Sequence, residues 1–177
     1  MWILKIEMLV LALVLAALAL CALKAAPATV NKLEKLCRNR IAGLLLCLPC
    51  ALLCVPLAVP VTPEAVVPWL YPLAVVLPVL SFWHLDHYAA RGVAFLLILA
   101  GYDIVHYAFD FRVSGAGAVT VIMLLCGIAG IWLAAKPCTL RDIFRKCAVS
   151  SAWKYSVAAC GVLGAVTALY TLIRSVF

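Results

Sequence analysis

Six apolar runs, each close to twenty residues long, divide this chain almost end to end: Trp2 to Leu23, Ile41 to Val61, Val66 to Trp83, Gly92 to Phe109, Ala116 to Ala135 and Trp153 to Ile173. A helix rises about 1.5 Å per residue, so each run matches a bilayer hydrocarbon core of about 30 Å. Helix is the expected state, because a strand or loop facing lipid leaves its backbone groups unpaired. Charged residues are only 12% of the 177, and apolar ones 68%. A soluble domain carries about a quarter charged residues. The expected fold is therefore an all-α integral membrane protein of six spans, a single polytopic domain over residues 1–177. The short connections leave little for a separate soluble domain.

Runs two and three carry Pro49, Pro56 and Pro60, then Pro68, Pro72 and Pro78. Interior prolines remove backbone hydrogen bonds, so both spans are expected to bend, with a merged re-entrant unit as the alternative. The first run reads as a retained span. Lys5 and Glu7 make a weak basic leader, Leu20 spoils the lipoprotein-like Leu18-Ala19-Leu20-Cys21, and a basic stretch follows.

Basic residues set the orientation. Ten of the fourteen fall in two connections, 24–40 and 136–154, each with one acidic residue. In a six-span chain these are the first and fifth connections, hence on one side, and the positive-inside rule makes that side cytoplasmic. Both termini then face outward, and the expected location is a bacterial inner (plasma) membrane. The net charge of +7 is accounted for by topology and anionic headgroups, so nucleic acid is not expected as a partner. The bilayer is, and other membrane subunits are admitted.

The two basic connections also resemble each other. Pro27, Thr29 and Cys37 align with Pro137, Thr139 and Cys147 at an offset of 110. This suggests a helix–loop–helix unit used twice, over 1–60 and 111–170, around a central hairpin at 61–110. Each loop should hold a short helix on the membrane surface. Thr29 and Thr139 are the expected N-caps, with Asp142 completing a capping box. Val30, Leu33, Leu36 and Cys37 share one face, as do Leu140, Ile143, Phe144 and Cys147. Those faces should enter the acyl region, leaving Lys32, Lys35, Arg38, Arg141, Arg145 and Lys146 for headgroups or a partner.

Span four carries the most suggestive polar residues: Tyr102, Asp103, His106 and Asp110. Spacings of three and four place the two aspartates and the histidine on one helix face. Ionisable groups at membrane depth are costly and mark cavities or pathways, so this face is the candidate proton or ion route. A second constellation, His84, Asp86 and His87, offers weak metal-ligand spacing in the turn after span three. Its alternative is an interfacial turn marked by Trp83 and Tyr88.

Nine cysteines are present, and Cys47-Leu48-Pro49-Cys50 has the C-x-x-C spacing of thiol–disulfide chemistry. Cys160 falls opposite Cys50 in the repeat. Over these few residues, a Pro-Cys pair inside a span resembles the membrane thiol carriers that move reducing equivalents to the periplasm. Buried cysteine as a small apolar filler is the plainer reading.

Nucleotide loops, G-x-S-x-G and H-E-x-x-H are absent, and no cofactor is expected. Gly127, Gly130, Gly161 and Gly164 read as close helix contacts. Three function classes remain: a small transport or ion-pathway protein or noncatalytic membrane subunit using the Asp103–His106 face, an intramembrane thiol carrier, and a membrane enzyme acting on lipid-borne substrates.

Overall fold

The computed structural model describes residues 2–112 and 115–174, with side chains from Lys5 onward. Among them are eight α-helices and no strand: α1 (Trp2–Leu23), α2 (Val30–Cys37), α3 (Arg40–Ala58), α4 (Leu70–His84), α5 (Tyr88–Asp110), α6 (Ala116–Ala135), α7 (Cys138–Val149) and α8 (Ser151–Arg174). Six of them (α1, α3, α4, α5, α6 and α8) are long and apolar enough to cross a membrane. Runs two and three form separate helices rather than one re-entrant unit. α3 continues through Pro49 and Pro56 and ends in a 3-10 turn at Val59–Val61, where Pro60 can begin a turn because its missing N–H is not needed.

α5 is the axis of the bundle. It packs along α6 and α3 and touches α1, while α1 pairs along most of its length with α8. Small residues on α5, among them Ala90, Ala94, Ala100 and Ala108, are almost fully buried and let neighbours approach. Two close approaches fix the geometry. A Cβ on Gly43 would lie 2.6 Å from the Tyr88 carbonyl carbon, and one on Gly92 would lie 2.9 Å from Leu46 Cβ. α3 thus lies directly on the start of α5. Gly130 against α5, and Gly161 and Gly164 against α1, make the close contacts expected of them. Gly127 does not: nothing lies within 4 Å of its missing Cβ.

α4 is the outlier. It leans on α3 rather than lying along α5, so spans three and four do not make a tightly packed hairpin. Its contact with α5 includes the Tyr88 hydroxyl, which donates to the Pro78 carbonyl at 2.7 Å. Much of its apolar surface, including Tyr71, Leu77, Leu80 and Trp83, is exposed. The same holds for outward residues such as Leu45, Leu125, Ile131 and Val166. The exterior of the bundle is therefore apolar, the reverse of a water-soluble one.

The two short basic helices form as expected, with three corrections. Thr29 is the N-cap residue of α2 as expected, but its hydroxyl bonds the backbone of Ala26 and Lys24 and makes no capping bond to the helix. Thr139 lies inside α7, whose N-cap is Pro137, and Asp142 bonds Arg141 instead of forming a capping box. Their apolar faces also turn largely inward. Cys37, Phe144 and Cys147 are buried in protein, Cys147 in a small core with Ala22 and Ala25 of the α1 end, so these faces are not free to enter an acyl region. Leu36 alone of the large residues on the α2 face stays well exposed. α2 and α7 lie against each other, which places both basic connections at one end of the bundle, here called the basic end.

Candidate functional site

At the opposite end, α1, α3 and α5 bring together two acidic side chains. Met8 and Leu11 of α1 and Ile104 and Tyr107 of α5 belong to one buried core. Their chain neighbours Glu7 and Asp103 consequently face each other across it, with their carboxyl groups close enough to interact. Glu7 is only 7% exposed and Asp103 half-buried. Cys54 lies near both carboxyls, and Cys50, one helical turn deeper, near Glu7. Two carboxylates brought together in an apolar setting repel each other, by about 4 kcal/mol at 4 Å even at an effective dielectric of 20.

Helical spacing alone puts Asp103 on one face with His106 and Asp110. In the fold it turns inward to Glu7, while His106 and Asp110 are exposed. His106 keeps company with Tyr102: the hydroxyl and Nε2 are 3.4 Å apart and the rings 4.4 Å. Local patterning gives Glu7 no role beyond a weak leader. A signal for it exists in the sequence: of seven acidic residues, Glu7 and Asp103 alone lie well inside apolar runs.

The cysteines are all free, with Cys47 and Cys50 buried and Cys160 exposed. Cys160 lies near Cys126, not brought to Cys50 by the repeat. His84 ends α4, Asp86 is exposed in the turn, and His87 starts α5 in the left-handed conformation with φ 54°. Among the described residues, no three His, Cys, Asp or Glu side chains are grouped as a metal site requires.

The basic residues divide between structural and open roles. Arg145 of α7 donates to Glu34 of α2 and ties the two helices together. That hydrogen bond holds the Glu34 carboxyl below its usual range and raises Arg145 further. Arg141 pairs with its neighbour Asp142 at 3.1 Å, and Lys146 sits 5.0 Å over the Trp153 ring. Lys32, Lys35 and Arg38 are exposed and make none of the ion pairs found among the described residues. Burial pushes the Cys37 thiol up to about 11, and raises Cys147 against the opposing charge of Lys154.

A cavity of about 490 Å³ separates α4 from α3 and α5. Compared with family models, with curated proteins and with solved structures, the chain matches none.

Proposed function

We propose that this chain is a multi-pass membrane protein that handles a proton or small cation at the Glu7–Asp103 pair, as a small transport protein or as a noncatalytic subunit of a membrane assembly. The observation that carries the reading is the pair itself: two acids on different helices, facing each other inside apolar spans. Structural polar residues in such helices are satisfied locally, as Thr167 and Thr171 are by carbonyls of their own helix. A carboxyl pair is a costlier choice. It gives a site that holds one proton and exchanges it for another, or for a cation, with little change in shape. The exposed Tyr102–His106 contact lies on the same helix within one turn and supplies a titratable group between the pair and the end of α5.

The six apolar helices and their apolar exterior support insertion in a bilayer. The basic loops 24–40 and 136–154, gathered at one end, favour that end as cytoplasmic, with both termini outside, in a bacterial inner membrane.

The test is proton flux into liposomes under a potassium diffusion potential, read by a trapped pH dye. Flux in the native protein, lost about tenfold or more in Asp103→Asn and Glu7→Gln with helicity unchanged, supports transport. Native protein without flux must then carry a defined protein partner in native mass spectrometry to sustain the subunit form. A bare monomer or homo-oligomer without flux refutes both.

A further inference from the structure

The cavity beside α4 has an asymmetry of chemistry that identifies what fills it. Its walls are apolar along α3 and α4, from Ala58 and Leu70 at one end to Ser81 at the other. Leu70 and Ser81 stand about 16 Å apart along α4, close to the depth of one leaflet's hydrocarbon, about 15 Å. At the Ser81 end the lining changes: Arg91 enters it, and the Arg91 Nε is buried with no hydrogen-bond partner. His87, one turn earlier at the start of α5, has an equally buried and unpartnered Nδ1. Neither ion pair among the described residues involves Arg91, and Asp86 of the same turn faces solvent.

Arg91 as a whole is half-buried, but an Nε–H buried without a partner is costly, and buried polar groups in folded proteins are nearly always satisfied. A partner matched to this end accepts a hydrogen bond and, facing a guanidinium, carries negative charge; the apolar walls beyond it match a chain about one leaflet long. The end of the cavity holding Arg91 is the basic end, since α5 begins against Gly43 at the start of α3, which directly follows α2. Lys32, Lys35 and Arg38 stand exposed on that connection.

We infer that the α3–α4–α5 cavity binds one anionic phospholipid, its phosphate on Arg91 and one acyl chain along α3 and α4 toward Leu70. The inference rests on bilayer placement of the helices and not on the carboxyl pair. Flux measurements can fail while it stands, and membrane fractionation tests the shared premise. α4 is the natural wall for such a ligand, because it leaves α5 uncovered except near Tyr88.

The experiment is native mass spectrometry of delipidated protein titrated with phosphatidylglycerol or phosphatidylcholine. Two variants accompany it: Arg91→Gln, which removes the charge, and Ala74→Phe, which fills the apolar half. The native protein should retain one phosphatidylglycerol with about tenfold or greater preference over phosphatidylcholine, the effect expected of a charge-assisted contact. Arg91→Gln should erase the preference, and Ala74→Phe should lower occupancy by both lipids. A Lys32→Gln/Lys35→Gln variant, which alters only the exposed surface, should keep the preference. Equal retention of the two lipids by native protein, or an unchanged preference in Arg91→Gln, overturns the assignment. So does a protein partner retained with no lipid. If Arg91→Gln fails to accumulate, Ala74→Phe decides alone: undiminished lipid occupancy in that variant refutes the site.

Discussion

Replacing Gly43 with alanine should destabilise the bundle, whereas the same change at Gly127 should not. The added Gly43 Cβ would lie 2.6 Å from the Tyr88 carbonyl carbon and 2.7 Å from its oxygen, where ordinary contact begins near 3.4 Å. α3 must therefore move off α5 by about 0.8 Å. A gap of that size forfeits a quarter to a half of each dispersion contact it opens. Two of the three obstructing atoms are backbone and cannot rotate away, and the third belongs to the buried Tyr88 ring, so the cost falls near the upper end of overpacking, about 3 kcal/mol. Alanine's better helix propensity returns about 1 kcal/mol. The net loss of about 2 kcal/mol corresponds to a fall in melting temperature of about 4–8 °C for a chain of this size. Gly127 has nothing within 4 Å, so only the propensity gain applies there, and its alanine variant should melt level with or above the native protein. The assay is thermal unfolding in one detergent, followed by thiol-reactive fluorescence, which nine free cysteines make sensitive. A Gly43→Ala protein that melts with the native one would refute the close α3–α5 contact. A Gly127→Ala protein that drops as far would refute the assignment of which glycines carry packing.

Two further outcomes follow from the basic end. Glu34, its carboxyl held down by Arg145, contributes stability that is present above the carboxylate's unfolded value and lost as pH falls through its lower folded one. The α2–α7 tie should therefore hold at neutral pH and release in acid. Cysteines engineered into both helices should crosslink efficiently at pH 7, and poorly at pH 3 or in Glu34→Gln when the crosslinker is a pH-independent photoreagent; equal yields throughout would discount the ion pair. Cys37, at about 11, holds only about 0.1% thiolate at pH 8, so maleimide should modify it far more slowly in the folded than in the denatured protein, with the gap narrowing as pH rises. Equal rates at pH 8 would show α2 to be open.

The helices were legible because their evidence is local. The run Ala116 to Ala135 coincides with α6, and Trp2 to Leu23 with α1, since polar residues or turns end each apolar stretch abruptly. The charge clustering of 24–40 and 136–154 foretold two basic helices, but not that they bury Cys37 and Phe144 against protein. That outcome depends on α2 and α7 meeting, which no local pattern records. The same limit applies to the carboxyl pair. Helical spacing groups Asp103 with His106, yet a helix face spans neighbours of different kinds, and α1 covers the Asp103 side alone. Gly127 and Gly130 look alike in sequence, and only the rotation of α6 about its axis decides which one meets α5.

Cys54 connects the two candidate sites. It lines the cavity from α3 and lies near Glu7 and Asp103. The acyl end of a lipid in that cavity would reach toward the level where the carboxyls meet, and would replace water there with hydrocarbon. A carboxyl pair exchanges protons only where water or a polar group can deliver them. Occupancy of the cavity and access to the pair are thus coupled through one small side chain. A thiol suits that position, because it is small enough to leave the cavity continuous and apolar enough to stay buried without a strong hydrogen bond. Serine there would ask for a partner, and leucine would close the cavity at its deep end. On this reasoning the residue's size and softness matter at this position, more than the redox chemistry that its type suggests.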